Sequence, residues 1–494
     1  MLDSVRNRDQ PWDVIVIGGG AAGAGSSVDA VSRGLDVLLL EQYDFGKGTS
    51  SRSTKLIHGG VRYLEQGNIR LVIEALRERG ILREIAEEYV SDQAFVVPCY
   101  SWWEVVYYGV GLKIYDRLAG KRSFGKSEIL SQNRVIEALP GIKQEQLSGG
   151  VKYHDGRFDD SRLLIAILRK AASMGAVVVN YCKVEELVTG AEGRVEGVKF
   201  RCAETGETFE PKAKTVINAT GAFADSVRNL SREEHSEVLA KSRGVHLVFD
   251  ASLTDGRSAL MVPKTSDGRV LFAIPFYGKL LVGTTDTPVE SPSSEPVPAD
   301  EEIDFILETC AGYFLNPPQR ADIKSAFAGI RPLFGKKRAD GTARLSRSHK
   351  ILADDNGLIT VAGGKWTTYR KIAEDAVNKA IKVGSLDAGP SVTAGLKLGG
   401  EEEFDSRGLE ERLSPIFKWT FSDVVRMIRF DMARTVEDVL ARRTRILFLD
   451  AEEAVRVAPV TAELLAAELG YGSGWIEEQV ESFLRTASGY RVSR

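Results

Sequence analysis

Long apolar runs are what this sequence most plainly lacks. No stretch of its 494 residues approaches the ~20 apolar positions of a bilayer-crossing helix. The N-terminus, MLDSVRNRDQPWD, is polar and shows no secretory pattern. Any membrane association is therefore expected to be peripheral. Cysteine is scarce: Cys99, Cys182, Cys202 and Cys310 lie far apart along the chain and form no CxxC. That argues against a zinc site, an iron–sulfur cluster or a disulfide framework, so no metal is expected, and it suits a reducing cytoplasm. A charge surplus is missing too. The 65 Lys and Arg against 69 Asp and Glu leave a net −4, which makes no global electrostatic case for nucleic acid. Neither an internal repeat nor a low-complexity block is present. The remaining composition, 43% hydrophobic and 27% charged, is that of an ordinary soluble protein, and the length requires two or three domains.

What is present starts at residues 13–41, DVIVIGGGAAGAGSSVDAVSRGLDVLLLE. A short apolar run ends on Gly18-Gly19-Gly20, a helical pattern opens at Ala21, and a second apolar run, Val37 to Leu40, ends on Glu41. This is the order of a dinucleotide site. Gly18 permits a tight turn off the strand, Gly20 lets the backbone approach a pyrophosphate, and Gly23 lets the helix pack on the sheet. The helix N-terminus offers unpaired N–H groups and a positive dipole end to the phosphates. Glu41 is placed to accept hydrogen bonds from both hydroxyls of an adenosine ribose, which disfavours a 2′-phosphate and leaves FAD and NAD open.

Downstream, a polar Ser/Thr/Gly-rich segment spans Phe45 to Tyr63, and a helical pattern runs from about Ile69 to Glu88. Residues 95–150 are less periodic and aromatic-rich. A helix is predicted at 161–174, with strands at 176–180 and 215–219 and short β-runs around 184–188, 194–200 and 207–210. From 243 to 287 the pattern is β-rich. A Pro/Ser connection then leads to a helix starting near Asp300, whose first turn is acidic as a positive helix end favours. A strand at 358–362, a helix near 367–382 and a mainly helical, charged region beyond 390 complete the chain. The nucleotide-type strands are scattered and the β-rich block interrupts them, so a second domain inserted into a dinucleotide domain is expected.

Three further stretches carry chemistry. Ala219-Thr220-Gly221 is a second glycine turn at a strand end, and together with Gly18–Glu41 it favours FAD over NAD. Gly363-Gly364-Lys365-Trp366-Thr367-Thr368 is a third strand-to-helix turn. A helix N-terminus and a lysine there suit the negative charge that reduced flavin carries near N1 and O2. Residues 48–63, GTSSRSTKLIHGGVRY, combine hydroxyls, cations, an imidazole and glycines with few apolar positions. A packed core would not use that composition, whereas a loop lining a cofactor and substrate would.

These blocks, with GTTDT at 283–287, GIRPL at 329–333 and ARTVEDVLARRTRILFLD at 433–450, resemble in order those of the FAD-dependent, aerobic-type glycerol-3-phosphate dehydrogenase family over nearly the whole chain. The resemblance implies an α/β FAD-binding fold of the two-dinucleotide-binding, glycine-oxidase-like type, with an inserted β-rich substrate domain and a helical C-terminal domain. It implies FAD as cofactor, sn-glycerol 3-phosphate as substrate, hydride transfer from C2 to flavin N5, and dihydroxyacetone phosphate as product. Gly18, Gly20, Gly23, Glu41, Thr49, Ser50, Ser53, Lys55, His58, Ala219, Gly221, Gly364, Lys365 and Thr367 are the expected cofactor residues. Arg62, Tyr63, Arg331 and Lys365 match the family's substrate-binding positions. Arginine suits a phosphate dianion because its planar fork binds oxygens in pairs. The leaving hydroxyl proton needs a base of near-neutral pKa. Of five histidines (His58, His154, His235, His246 and His349), only His58 and His246 fall in family blocks. His246 is favoured as the base and His58 as a flavin-side residue, with Lys365 or Arg331 stabilising the developing alkoxide.

The expected FAD domain comprises residues 1–95, 150–235 and 325–388, the substrate domain 96–149 and 236–324, and the C-terminal domain 389–494. Oxygen-using members of the family often carry an insertion for which this chain is short, which points to a quinone as electron acceptor. No DxDxDG calcium loop of the mitochondrial members is seen. A quinone partner implies contact with the inner face of the cytoplasmic membrane, with Trp102–Ala119 and Arg426–Phe448 as the candidate stretches. A homodimer is held open as the assembly. The rival readings are an amine or amino-acid oxidase of the same fold and a flavoprotein without catalysis.

Overall fold

Alternation within the first strand sets the layers. In Trp12–Ile17, Val14 and Val16 face one side and Ile15 and Ile17 the other, and all four are buried. A strand apolar on both faces belongs inside a parallel sheet. In the computed structural model it lies near the middle of a six-stranded sheet, in the order 350–353, 359–362, 213–218, 12–17, 37–40, 177–179. All neighbours are parallel except the antiparallel edge strand Lys350–Ala353. The structure describes all residues except 66, 232–235, 255–256, 336–347, 401–403 and 494, and leaves out the side chains of Arg62, Tyr63 and Lys121.

Val14, Val16, Val37 and Leu39 pack beneath helices Ala21–Ser32, Asp160–Ser173 and Tyr369–Gly384. Ile15, Ile17, Leu38 and Leu40 pack against a three-stranded antiparallel sheet, Cys182–Thr189, Val195–Cys202 and Thr208–Phe209. On that sheet Cys182 and Cys202, distant in sequence, are register partners, and both thiols are free.

The second large body is a ten-stranded sheet, built around Leu239–Asp250. That strand pairs antiparallel with Ser325–Phe334 on one side and with Lys279–Gly283 and Thr287–Val289 on the other. Leu56–Ile57, Val90–Cys99 and Gly149–Phe158 join the same sheet. The boundaries expected from the sequence therefore cross sheet elements. The junction at 95/96 cuts through Val90–Cys99, and residues 150–158 and 325–334 pair with the large sheet. Long-range pairing decides this, and pairing partners have no local signature. Otherwise the discontinuous α/β unit, β-rich insertion and helical C-terminal region are those expected.

Residues 95–150, poorly periodic in sequence, contain an 18-residue helix, Trp102–Ala119, opened by a Ser101/Glu104 capping box. Its inward face buries Leu112 and Tyr115, while Trp102, Trp103, Val106, Tyr107, Val110 and Ile114 are exposed. Apolar residues on both faces flatten the helical pattern.

The C-terminal region packs helices Phe421–Phe430, Ala451–Leu469 and Ser473–Ser488 around one core. A π-helical turn, Asp438–Arg443, brings Arg442 and Arg443 onto Asp44, which is separated from them by almost the whole chain. Arg442 also pairs with Glu437 at 2.6 Å and Asp438 at 2.7 Å, and Arg445 donates to the Ser51 carbonyl at 2.6 Å. All three guanidiniums are buried. Of the two candidate stretches for membrane contact, Arg426–Phe448 is thus mostly interior: Arg442 and Arg443 are neutralised by buried carboxylates, and the more exposed Arg429 and Arg434 are paired with Glu468 and Glu204.

Burial alone would raise the Asp44 carboxyl, but the charges of Arg443 and Arg442 outweigh it and bring it to about 2. A depressed carboxylate pKa contributes stability above its unfolded value of about 3.9 and loses it as pH falls toward the folded value. Asp44→Asn leaves two buried guanidiniums short of an anion, which costs about 3–5 kcal/mol. Thermal melting at pH 7 should show a clear drop. Between pH ~4 and ~2 the variant should lose less stability than the parent. Equal melting of the two proteins at pH 7 would contradict the assignment.

Candidate active site

Where strand Trp12–Ile17 ends, three stretches of backbone converge. Gly18 turns with φ +107° and donates its N–H to Leu40 O at 2.8 Å. A Cβ there would sit 2.8 Å from Ala219 O, and a Cβ on Gly23 would sit 1.8 Å from Gly18 O. Neither position admits a side chain. Gly20, at the start of helix Ala21–Ser32, has no capping side chain and faces a cavity of about 670 Å3. Ser50 Oγ accepts the Ala21 N–H at 2.9 Å. Both Glu41 oxygens hold the turn: Oε2 accepts from Gly19 N–H at 2.6 Å and Oε1 from Tyr43 N–H at 3.0 Å. Burial pushes the Glu41 carboxyl up against these two hydrogen bonds.

The cavity runs from this glycine turn and Glu41 to His58, His246, Arg331 and Lys365, past Thr49, Ser50, Ser53, Ala219, Gly221, Gly364 and Thr367. These expected residues, scattered over more than 300 positions, thus line one space. Gly23 stands behind the turn as a packing residue. Lys55 is a correction. At φ +62° its side chain turns away from the cavity to the Ser51 carbonyl and Asp160, each at 2.7 Å. Burial and the nearby Arg445 bring its ammonium down to about 7. Ser53 donates to the same carboxylate at 2.6 Å. Arg62 and Tyr63 lie on helix Val61–Glu65, and their side chains are outside the described residues, as is His235.

The far end of the cavity is built on Leu239–Asp250. Gly244 and His246 share a face of this strand. The Arg331 guanidinium lies flat over Gly244, 2.3 Å from where a Cβ would be, and the His246 ring lies equally close over Gly283. Arg331 donates to Thr285 O at 2.9 Å and Thr284 Oγ1 at 2.8 Å. His246 is 2% exposed, stacks on Phe327 and meets Thr54 Oγ1 through Nε2 at 3.0 Å. Burial first, then the charges of Lys55 and Arg331, holds its pKa well below 6.5, so the imidazole is neutral at pH 7.

Sequence reasoning missed several supports. Thr54, inside the SSRST block, carries no signal in sequence that sets it apart from its neighbours. Trp366 donates its indole N–H to Ser50 O at 2.8 Å, tying two of the blocks together. Phe95, Tyr153, Met261 and Phe272 form an apolar wall with no motif to announce it. Among the described residues, no cluster of three or more His, Cys, Asp or Glu is placed to hold a metal ion.

A glycine-floored helix start, an acid at the next strand end and a long cavity ending on an imidazole and cations suit a flavoprotein oxidoreductase, and the comparisons place the chain in that class. The chain matches the family described as FAD dependent oxidoreductase over residues 13–370 and the C-terminal domain of alpha-glycerophosphate oxidase over 396–476. It is 38% identical to the mitochondrial glycerol-3-phosphate dehydrogenase of Bos taurus, covering 97% of this chain and 74% of the relative. It is equally identical to that of Arabidopsis thaliana, over 93% and 83%. The solved structure of glycerol-3-phosphate dehydrogenase from Bacillus halodurans, complexed with FAD, superposes with a TM-score of 0.77 at 29% identity, covering 98% of this chain and 95% of that one. Glycine oxidase from Geobacillus kaustophilus shares the fold, with a TM-score of 0.56 at 20% identity, covering 78% of this chain and 98% of that one. The chain belongs to the FAD-dependent glycerol-3-phosphate dehydrogenase family, and FAD is its cofactor.

The residues present fit that cofactor: Gly20 keeps the helix start bare, where a Cβ would crowd Ser50 Oγ at 3.0 Å, and Glu41 puts a carboxylate at the other end of the glycine turn. Gly23→Ala drives a methyl group into the Gly18 carbonyl. The purified variant should carry less flavin per chain than the parent, read from its visible absorbance relative to 280 nm. Full flavin occupancy would contradict the backbone crossing.

Proposed function

We propose that this enzyme oxidises sn-glycerol 3-phosphate to dihydroxyacetone phosphate and passes the electrons to a quinone. The observation that carries the reading is the Arg331 guanidinium and the neutral His246 imidazole lying side by side over glycines on one sheet face. A phosphate needs cations, and Arg331, Lys365 and Arg62 are the groups assigned to it, with Tyr63 as a further contact. FAD, when bound, supplies the acceptor for the hydride leaving C2. Neutral His246 takes the C2 hydroxyl proton on its ring lone pair, while Thr54 and Phe327 fix the ring plane. The imidazolium so formed lies beside Arg331, whose charge favours passing the proton on. Arg331 or Lys365 stabilises the alkoxide as it develops. His58 stays on the flavin side, where Thr367 Oγ1 accepts its backbone N–H at 3.2 Å.

His246→Asn should retain flavin and slow anaerobic bleaching by glycerol 3-phosphate at least about tenfold. Because the folded pKa of His246 lies well below 6.5, the parent's reduction rate should stay flat from neutrality down to that value and fall only at more acidic pH. An acid limb centred above neutrality, or bleaching by glycine or sarcosine in place of glycerol 3-phosphate, would sink this reading.

The surface supports a lipid-soluble acceptor. Among the described residues no helix is long and apolar enough to cross a membrane. The exposed stripe of Trp102–Ala119 is joined by Ile69 and Ile73 of the adjoining helix Ile69–Ile85. Exposed Arg70, Arg77, Lys113 and Arg117 lie on the same two helices. Aromatics with flanking cations are the composition of a face that lies on an anionic bilayer. The protein should co-sediment with anionic vesicles at low salt, and replacing Trp102, Trp103 and Tyr107 by Ser should abolish this. Failure of the parent to bind removes the membrane part of the reading and leaves the dehydrogenase part standing.

A further inference from the structure

Helix Trp102–Ala119 carries a second feature on its inward face. Tyr115, 1% exposed, reaches the loop between His58 and Val61, and its hydroxyl accepts the Gly59 N–H at 2.7 Å. The same hydroxyl donates to Asp155, whose oxygens lie 2.9 and 3.1 Å away. Arg79, also 1% exposed, pairs with the Asp155 carboxylate and donates to Tyr115 Oη at 3.4 Å. Burial and the Asp155 charge hold the Tyr115 phenol well above its usual pKa, so it remains a donor to the carboxylate and an acceptor for the amide. Asp155 itself lines the cavity.

The other side of the loop is held as well. Thr367 Oγ1 accepts the His58 N–H at 3.2 Å and donates to the His58 carbonyl at 3.4 Å. His58 is thus bracketed by the turn that carries Lys365, and the next N–H is taken by Tyr115. Gly59 admits no side chain here, since a Cβ would lie 2.5 Å from both Tyr115 Oη and Leu76 Cδ2. Arg62 and Tyr63 follow this double anchor three and four residues after Gly59. This turn is held by side-chain hydroxyls from two distant elements, Thr367 and Tyr115.

We infer that Tyr115, oriented by Asp155 and Arg79, is a positioning residue that sets the His58–Tyr63 segment against the reacting end of the cavity. A buried, charge-oriented phenol accepting one backbone amide has a specific geometric consequence. Losing the hydroxyl leaves the Gly59 N–H only the Asp155 carboxylate and loosens the segment, while the aromatic ring still fills the core beside Val72 and Leu76. Substrate affinity is lost before the chemical step is touched. The substrate part of this inference rests on the reading that glycerol 3-phosphate occupies that end.

The test uses Tyr115→Phe in the FAD-loaded enzyme, with two independent readouts. The first is hydrogen exchange of the peptide spanning residues 58–63, which needs no substrate. Exchange there should rise about tenfold, with the rest of the chain unchanged. The second is anaerobic flavin reduction across glycerol 3-phosphate concentrations. The half-saturating concentration should rise about fivefold, the size of one neutral hydrogen bond, with the limiting rate nearly unchanged. Unchanged exchange at 58–63 overturns the inference. So does a fall in limiting rate at constant half-saturation. If the parent itself is not bleached by glycerol 3-phosphate, the substrate reading fails alone and the exchange result still decides the positioning role. If Tyr115→Phe fails to hold flavin, Arg79→Lys carries the same two measurements, because it keeps a cation beside Asp155 and removes the guanidinium that orients the carboxylate and the phenol.

Discussion

A largely buried polar loop with little secondary structure of its own must find most of its hydrogen-bond partners elsewhere. Residues 44–55, with a single 3-10 turn at Thr49–Ser51, are such a loop, and the rest of the molecule is arranged around them. Asp44 takes Arg442 and Arg443 from the C-terminal region, and the Ser51 carbonyl takes Arg445. Ser50 receives an N–H from the first helix at its hydroxyl and the Trp366 indole at its carbonyl. Arg52 donates to the Ala328 carbonyl in the large sheet and pairs with Glu295. Ser53 and Lys55 share Asp160, at the start of the helix that covers the parallel sheet. The loop therefore holds the dinucleotide unit, the inserted sheet and the helical region in one arrangement.

That arrangement has an electrostatic consequence. Burial keeps the His246 ring neutral, and the charges of Lys55, which turns away from the cavity, and of Arg331 act in the same direction. A lysine outside the cavity lining thus adds to the burial that keeps the His246 imidazole neutral. The residues that pin the loop are consequently also residues that tune the site, so stability and chemistry are coupled through the same buried charges.

Much of the site was legible in sequence where each residue's task is local. Gly18, Gly20, Gly23 and Glu41 announce themselves because turn, helix start and strand end must follow one another within one βαβ unit. The ATG and GGK turns were legible for the same reason. The SSRSTKLIHGG block stood out by composition, but composition did not reveal which way each side chain points. Lys55 was read as a cofactor contact, and its left-handed backbone sends it to Asp160 instead. Arg442 and Arg443 give no sign of burial in the sequence because their neutralising partner, Asp44, lies 398 and 399 residues away. Helix Trp102–Ala119 was obscured for the opposite reason: it is apolar on the side that packs and on the side that does not.

The sequence by itself determined the cofactor class, the order of the nucleotide-binding turns, the scarcity of candidate bases and the insertion of a β-rich body into an α/β unit. All of these follow from short-range rules of chain geometry and residue chemistry. Only the tertiary structure decided which strands belong to the large sheet, which cations are buried and which face outward. It also decided that Thr54 and Phe327 hold His246, and that Tyr115 reaches Gly59 from a helix some fifty residues away. Those are pairings between groups with no sequence relation. They are selected by the free energy of leaving a polar group unpaired or an apolar face wet, a cost that exists only once the chain is folded.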